Sequence, residues 1–447
     1  MESKNAAGTP KAKAAAEKVI RRLREAGHEA LLAGGCVRDL LLGREPHDFD
    51  VATSALPSAV AELFPRTIPV GVQFGVILVL EEGQEIQVAT FRSDGNYLDG
   101  RRPEAVEFGD ARQDALRRDF TINGLFLDPL SGELHDYVGG KKDLAARVLR
   151  CIGDSETRFE EDRLRLLRAV RFAADLEFTV DPPTWQAVCH KAQTIHSVSA
   201  ERIRDELVRI FLSSRRVRGF DLLEQSGLMA EVLPELSRLR GCEQPPQFHP
   251  EGDVFVHTRL MLSLLPETVS LPLVLAVLFH DIGKPDTQAV DETGRIRFNG
   301  HEKVSATMTE AILQRLRFSN QVLEDTVALV ENHMAFKDVQ NMRPAKLKRF
   351  LARPTFSDEL ELHRVDCLGS HGLLDNYEFL QERQEFYANQ PLIPPPLITG
   401  KDLIDLGWVP GPQFKTVLED AQTRQLEGEL NDRKDALRWL RQLPKPS

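Results

Sequence analysis

The chain has 447 residues, enough for about three domains of ordinary size. With 42% hydrophobic and 28% charged residues, its composition excludes collagen-like, wholly disordered and disulfide-scaffold chains. A net charge of −11 excludes a uniformly basic surface but leaves room for a local basic stripe facing a polyanion. The five cysteines (Cys36, Cys151, Cys189, Cys242, Cys367) lie far apart with no C-x-x-C pair, so reduced thiols are expected rather than a disulfide framework or a Cys-based zinc site. The apolar stretch from Leu271 to Phe279 contains Pro272 and is about half of a membrane span. The Ala/Lys-rich start has no apolar signal core. A cytoplasmic protein with no membrane partner is the expectation.

After a solvated tail, apolar residues recur at helical spacing from Ala16 and stop at Gly27. A strand is expected from His28 to Ala33, then Gly34-Gly35, a short helix over Val37 to Leu42, and a second strand around Phe49 to Val51. Extended runs at Gly75 to Leu80 and Glu85 to Phe91 are rich in β-branched residues and flank a turn at Glu81-Glu82-Gly83. From Arg158 onward, helical periodicity over Phe159 to Leu176 and Ala200 to Leu212 replaces strand signals. Pro245-Pro246 and Pro394-Pro395-Pro396 mark boundaries between helical blocks. The fold class is α+β, with a mixed first part and an all-helical remainder.

The strongest local signal is Gly34-Gly35-Cys36-Val37-Arg38-Asp39, followed by Asp48-Phe49-Asp50. Carboxylates at i and i+2 of a strand project from one face, close enough to share divalent metals. Paired metals about 3.5–4 Å apart suit in-line phosphoryl transfer. The glycines let backbone N–H groups approach a triphosphate, and Arg38 adds charge. A lone GG is usually a turn and a lone D-x-D a solvated edge, so the order of the parts carries the reading.

That order resembles the class II CCA-adding tRNA nucleotidyltransferase and bacterial poly(A) polymerase family. Thr90-Phe91-Arg92, with Tyr97 and Asp99 to Pro103, is similar to the family's flexible loop. Arg117-Arg118-Asp119-Phe120-Thr121-Ile122-Asn123 is similar to its ribose-selecting motif. Asp162, Arg165 and Arg168 at successive i+3 steps, with Arg171 beyond, would fall near one another along a helix face. Their donors and acceptors match the polar edges of cytosine or adenine. A surface ion-pair ladder is the alternative for such spacing. The resemblance implies that Asp162 and Arg165 read the base while Arg168 and Arg171 hold phosphate or the neck, and that Gly35, Arg38, Arg117, Arg118 and Asn123 grip triphosphate and ribose. Gln87 stands where many members carry glutamate, and Glu85 is the candidate replacement. Lys191, Arg202, Arg204, Arg209, Arg215, Arg216 and Arg218 form a basic cluster, equally readable as an RNA contact or a solvated face.

Further on come His257, His280-Asp281, His301, His333 and Asp366. Imidazoles and carboxylates gathered from several helices make an N/O site for Zn, Mn, Fe, Ni or Mg. An acid on an apolar helix is costly to bury without a cation or donor. This block resembles the HD superfamily of metal-dependent phosphohydrolases, whose core maps onto His257, His280, Asp281 and Asp366, with His301 and His333 as the additional pair of two-metal members. His249 is expected in a loop rather than as a ligand.

The expected division is a nucleotidyltransferase head (1–155), a helical neck and body binding nucleotide and RNA (156–240), an HD domain (241–393) and a helical tail (394–447). The expected function is addition of C, C and A to tRNA from CTP and ATP, with Asp48 and Asp50 holding Mg²⁺ and a divalent transition metal or Mg²⁺ in the HD domain. Poly(A) addition to RNA 3′ ends, partial CC or A addition, and an HD phosphodiesterase with an RNA-binding head stay open as alternatives.

Overall fold

The structure, a computed structural model, describes residues 9–71, 74–94, 106–247 and 249–444. The chain divides into two compact units, Met1–Pro234 and Glu235–Ser447.

The first unit opens with α1 (Thr9–Glu25), which buries Ala15, Ala16, Val19, Ile20 and Leu23, the 3–4 spacing of one helix face. Then follow β1 (Ala30–Ala33), α2 (Gly35–Leu41), β2 (Val51–Thr53), α3 (Pro57–Leu63), β3 (Thr67–Gly71), β4 (Val76–Glu81) and β5 (Gln84–Thr90). Next are β6 (Arg92–Asp94), β7 (Val106–Phe108), α4 (Ala111–Leu116), β8 (Leu125–Leu127), β9 (Leu134–Asp136) and α5 (Gly140–Ala146). Seven strands make one sheet in the order β3-β4-β5-β2-β1-β8-β9. β4 and β5 join through Glu82-Gly83, both with positive φ (50° and 76°), the backbone twist a two-residue hairpin requires. Over one face, Leu31, Ala33 and Ala52 pack with Ala111, Ala115, Phe91 and Phe126, the last two rings meeting edge-on at 6.0 Å.

Helices follow: α6 (Ser155–Glu161), α7 (Arg165–Leu176), α8 (Pro182–Lys191), α9 (Ala200–Leu212), α10 (Arg216–Gln225) and α11 (Leu228–Val232). The single helix expected over Phe159 to Leu176 is broken. Asp162 is extended (φ −142°, ψ 100°), and its Oδ1 accepts the Leu164 N–H at 3.2 Å. An aspartate that captures a backbone N–H two residues on competes with the helix, which periodicity alone does not register. Small strand pairs, Val148–Leu149 with Thr179–Val180 and Ala289–Val290 with Ile296–Arg297, interrupt the otherwise helical remainder.

In the second unit, α12 (Pro234–Ser237) precedes α13 (Val254–Leu264), α14 (Leu271–Phe279), α15 (Lys284–Thr287), α16 (His301–Arg315), α17 (Asn320–Asn332), α18 (Pro344–Leu351), α19 (Phe356–Gly369) and α20 (Asp375–Tyr387). Glu235 pairs with Arg315 (2.8 Å) and Arg238 with Asp286, tying the start of this unit to α15 and α16. The apolar α14 starts with Ser270 accepting the Leu273 N–H (3.2 Å), with Pro272 in its first turn. It is buried all round among α13, α16, α17 and α19, which explains its lack of a polar face. No helix among the described residues is long and apolar enough to cross a membrane. The tail helices α21 (Gly400–Asp405), α22 (Gln413–Glu427) and α23 (Arg433–Gln442) bury Leu403, Trp408, Leu430 and Leu440, and Lys348 Nζ of α18 donates to the Leu426 carbonyl at 3.0 Å.

At Gly140 an added Cβ would lie 2.1 Å from the Thr121 carbonyl oxygen, beside the turn that supplies Asn123. Gly140→Ala is expected to destabilise the first unit by about 2 kcal/mol or more, because backbone must move to admit the methyl group. Thermal unfolding should show a transition lowered by several degrees; an unchanged midpoint contradicts this packing.

Candidate functional site

A cavity of about 770 Å³ opens in the first unit where β1 ends and β2 begins. Antiparallel pairing sets Leu32 opposite Val51, and the Ala33 N–H donates to the Asp50 carbonyl (3.0 Å), so Gly34-Gly35 lie beside the aspartates. Asp48 and Asp50 sit in the residues leading into β2 rather than on the strand itself, and both line the cavity. Burial, reinforced by the charge of Asp48, pushes the Asp50 carboxyl up to about 6. Two carboxylates this close, one of them buried, are a fitting pair for cations, which would relieve the repulsion on Asp50. Gly34 has φ +74°, and a Cβ there would stand 2.7 Å from Arg118 Nη1. Cys36 is buried, its Sγ directed at the Ala33 carbonyl (3.3 Å), and burial pushes its thiol up to about 11.

The expected triphosphate and ribose residues share this cavity. Gly35, Arg38, Arg117, Arg118 and Asn123 all line it. Arg38 donates to Asn123 Oδ1 (2.8 Å), while the buried Asp114 receives Arg117 at 2.6 Å and Arg118 at 2.9 Å. Asn123 Nδ2 in turn donates to Asp119 Oδ1 (3.0 Å), whose other oxygen takes two bonds from Arg168 at 2.5 and 2.8 Å. Burial alone would raise Asp119, but Arg168 and Asn123 hold it well below the usual carboxylate range.

Despite the helix break, Asp162, Arg165 and Arg168 face the same cavity. Asp162 is gripped by Arg202 Nη2 (2.9 and 3.2 Å). Arg165 is buried, bonding Glu161 (2.9 Å) and the carbonyls of Arg158 (2.8 Å) and Arg117 (3.0 Å). Arg171 stands apart: it bonds Glu206 (2.6 Å), lies 4.0 Å over the Phe172 ring and does not line the cavity. Gln87 lines the cavity, because β2 and β5 run parallel with Val51 beside Val88; the exposed Glu85, two residues further along, does not. Of the loop motif, Arg92 lines the cavity, while Tyr97 and Asp99 to Pro103 lie outside the described residues.

The basic cluster expected after the neck is dispersed. Arg202 and Arg209 line the cavity, Lys191 pairs with Glu156 (3.3 Å) and Glu160, and Arg215 with Glu177 (2.9 Å). Arg216 is buried, and Arg218 caps the carbonyls of Ala173 (3.2 Å) and Phe178 (2.9 Å). Charge density in the sequence carried no information about which of these side chains were already occupied. Arg202 as the partner of Asp162 was missed for the same reason.

The second unit gathers His257, His280, Asp281, His301, His333 and Asp366 at one place. Each imidazole is anchored through Nδ1: His280 to the Val277 carbonyl (3.0 Å), His301 to Phe298 (2.7 Å), His333 to Val330 (2.6 Å) and His257 to Glu251 (2.8 Å). Every Nε2 therefore turns inward. His280 and His301 approach Asp281 at 3.1 and 3.3 Å, and His257 approaches Asp366 at 3.2 Å. The Nε2 atoms of His257 and His280 and Oδ1 of Asp281 are buried with no hydrogen-bond partner, the arrangement expected of atoms shaped to ligate. Three-ligand groups form at His257, His280 and Asp281 and at Asp281, His301 and His333. Burial opposes charge on His257, yet the Asp366 and Glu251 carboxylates outweigh it and push the ring up to about 9. Burial and His280 push His333 down to about 3. His249, expected in a loop, bonds Glu251 (2.9 Å), and with Glu251 and His257 it completes a third such group.

A carboxylate pair just before β2, beside a double-glycine turn and faced by arginines, is the site of a nucleotidyltransferase-type head, and the chain goes on to an HD-type helical cluster of candidate metal ligands. Residues 30–150 match the "Poly A polymerase head domain" family, 177–239 the "Probable RNA and SrmB-binding site of polymerase A" family, and 254–365 the "HD domain" family. The CCA-adding enzyme of Lactobacillus johnsonii is 42% identical over 224 residues, covering 50% of this chain and 56% of that protein, so the matched stretch spans about half of that relative. The CCA-adding enzyme of Lactococcus lactis subsp. cremoris is 31% identical over 428 residues, 94% of each chain. Among solved structures, the Bacillus stearothermophilus CCA-adding enzyme in complex with CTP superimposes with a TM-score of 0.75 at 26% identity over 96% of each chain. The Thermotoga maritima CCA-adding enzyme complexed with tRNA shares the fold, with a TM-score of 0.59 at 19% identity over 96% of this chain and 95% of that one. The chain belongs to the CCA-adding enzyme family, a family of nucleotidyltransferases.

Because Asp119 is held below its unfolded value near 3.9, its stabilising contribution is complete above about pH 4 and is lost as the pH falls below that. Asp119→Asn leaves Arg168 only the more distant Glu206 (3.9 Å) and is expected to cost about 3 kcal/mol at neutral pH and less at pH 3. Urea unfolding at the two pH values measures the difference; an equal loss at both contradicts a charged Asp119.

Proposed function

We propose that this chain adds C, C and A to the 3′ end of tRNA from CTP and ATP in the cytoplasm, and that its second unit hydrolyses phosphate esters. The observation that carries the first part is the Asp48–Asp50 pair facing, across one cavity, an acid and an arginine fixed by their own partners. Mg²⁺ held by Asp48 and Asp50 would activate the attacking hydroxyl and stabilise the departing pyrophosphate. Arg38, Arg117 and Arg118 neutralise the triphosphate, and Asn123, locked by Arg38 and Asp119, meets the ribose. Asp162 accepts from a base amino group while Arg165 donates, so protein side chains take the place of a template strand. The terminal hydroxyl of the RNA attacks the α-phosphorus, its P–O bond forms, and the bond to pyrophosphate breaks. Relatives that match along nearly their whole length favour CCA over homopolymer addition.

In the second unit His257, His280, Asp281, His301, His333 and Asp366 would hold a divalent transition metal or Mg²⁺. When bound, such an ion lowers the pKa of water for attack on phosphorus. The outward Nδ1 anchors keep the imidazoles in the tautomer that presents a lone pair inward.

Asp48→Asn and Asp50→Asn are each expected to lower CTP and ATP incorporation into tRNA lacking its CCA end about a thousandfold. His280→Ala should leave incorporation intact and lower bound metal and phosphatase turnover. Sustained homopolymer growth from ATP alone overturns the CCA reading in favour of poly(A) addition. Incorporation that survives Asp48→Asn while His280→Ala abolishes every activity assigns the chemistry to the second unit. Arg202→Ala frees Asp162 and is expected to weaken discrimination among CTP, ATP and UTP about tenfold while leaving metal binding alone. Competition between nucleotides in a gel assay reads the ratio.

A further inference from the structure

Between Lys337 and Arg353 the sequence holds six basic residues and one acid, Asp338, in a chain of net charge −11. Lys346 and Arg349, three residues apart, are neighbours on the surface of α18, Arg343 precedes its first turn in extended conformation, and Arg353 follows just past its end. The face is concave. A groove of about 540 Å³ is lined by Met334, Lys337, Met342, Lys346, Arg349 and Arg353, with Asp338 at its edge, and it continues along Lys346 and Arg349 into a second hollow of about 420 Å³ reaching Arg343, Thr423 and Glu427. At its other end, Met334 also lines the cavity of about 330 Å³ that holds Asp281, His301, His333 and Asp366. Lys337, Arg343 and Lys346 are exposed with no ion-pair partner among the described residues, whereas Arg353 is taken by Glu359 (2.8 Å).

A solvated basic face would be convex and interleaved with acids. This one is hollow, carries five basic residues against two acids, Asp338 and Glu427, and opens to a candidate metal centre. A small phosphate ester needs cations only where it reacts. Cations that lead away from that point complement a ligand whose phosphates repeat along its length, and the thioethers of Met334 and Met342 offer apolar surface to base faces. We propose that this groove binds a single strand of RNA and leads its terminal phosphate ester to the second unit's metal centre, so that the hydrolase substrate is carried on an oligonucleotide rather than free. The proposal rests on the phosphohydrolase reading above. The hydrolysis consumes one water: a P–O bond to the water oxygen forms, the ester P–O bond breaks, and a proton passes to the released ribose oxygen.

The test uses the full chain with Mn²⁺, comparing it with the double variant Lys337→Glu/Lys346→Glu, neither residue belonging to either reactive centre. The probes are a hexauridylate ending in a 3′-phosphate, a form of it carrying 4-thiouridine for photocrosslinking, and p-nitrophenyl phosphate. The variant is expected to lose about tenfold in kcat/KM on the oligonucleotide at moderate salt, to act on p-nitrophenyl phosphate unchanged, and to lose crosslinks mapped to residues 334–353. Equal loss on both substrates, or none on the oligonucleotide, overturns the proposal. Hydrolysis without crosslinks in that segment also overturns it while leaving the hydrolase reading standing. Crosslinks with no hydrolysis of either substrate overturn the hydrolase reading and the delivery role together. If nucleotide addition to tRNA falls while both hydrolyses persist, the groove seats tRNA for transfer and the proposal fails.

Discussion

The first unit is organised around the buried carboxylate of Asp119. One oxygen accepts from Asn123 and from the Phe120 backbone N–H, and the other takes the Arg168 guanidinium. A head motif and a helix of the following segment are thereby fixed to each other at the wall of the cavity. The charge is worth burying only because all of its acceptor positions are met; any one partner removed leaves a charge or a dipole stranded in low dielectric. The same logic repeats nearby, with Asp114 between Arg117 and Arg118 and Glu206 bonded to Arg171. Acids hold the arginines in place, and Arg117, Arg118 and Arg168, unlike Arg171, turn their remaining donors and positive charge to the cavity.

The second unit solves a different problem with similar means. Its imidazoles sit in an apolar bundle, where a charged ring is costly and a misdirected one useless. Backbone carbonyls and Glu251 take one nitrogen of each ring, leaving the other turned to a common point. Gly283 is part of this arrangement: a Cβ there would meet the Ser305 nitrogen at 2.7 Å and the His301 carbonyl at 2.8 Å, so the helix carrying His301 can approach only a residue without a side chain.

Much of this was legible in the sequence because it is written in short spacings. Gly34-Gly35 with Asp48 and Asp50, the Arg117 to Asn123 motif, and His280-Asp281 each announce their chemistry within a few residues, and the turn between β4 and β5 is fixed by its glycine. What was not legible depends on competition between partners distant in sequence. The break at Asp162 comes from a side chain outbidding the helix for one backbone N–H. Arg171 and Arg202 read alike as basic residues of helical segments, yet one is spent on Glu206 and the other positions Asp162. Glu85 lost its candidacy to strand register, which sets Gln87 next to Asp50. The histidines were identifiable one by one, but their anchoring through Nδ1 depends on how the helices end.

Cys36 follows the double glycine directly, buried behind the candidate site. Its thiol is pushed up to about 11 by burial, so at neutral pH it stays protonated. Alkylating agents and peroxide act on the thiolate. The turn beside the two aspartates thus carries its sulfur in the less reactive thiol form, which spares this part of the head despite its cysteine.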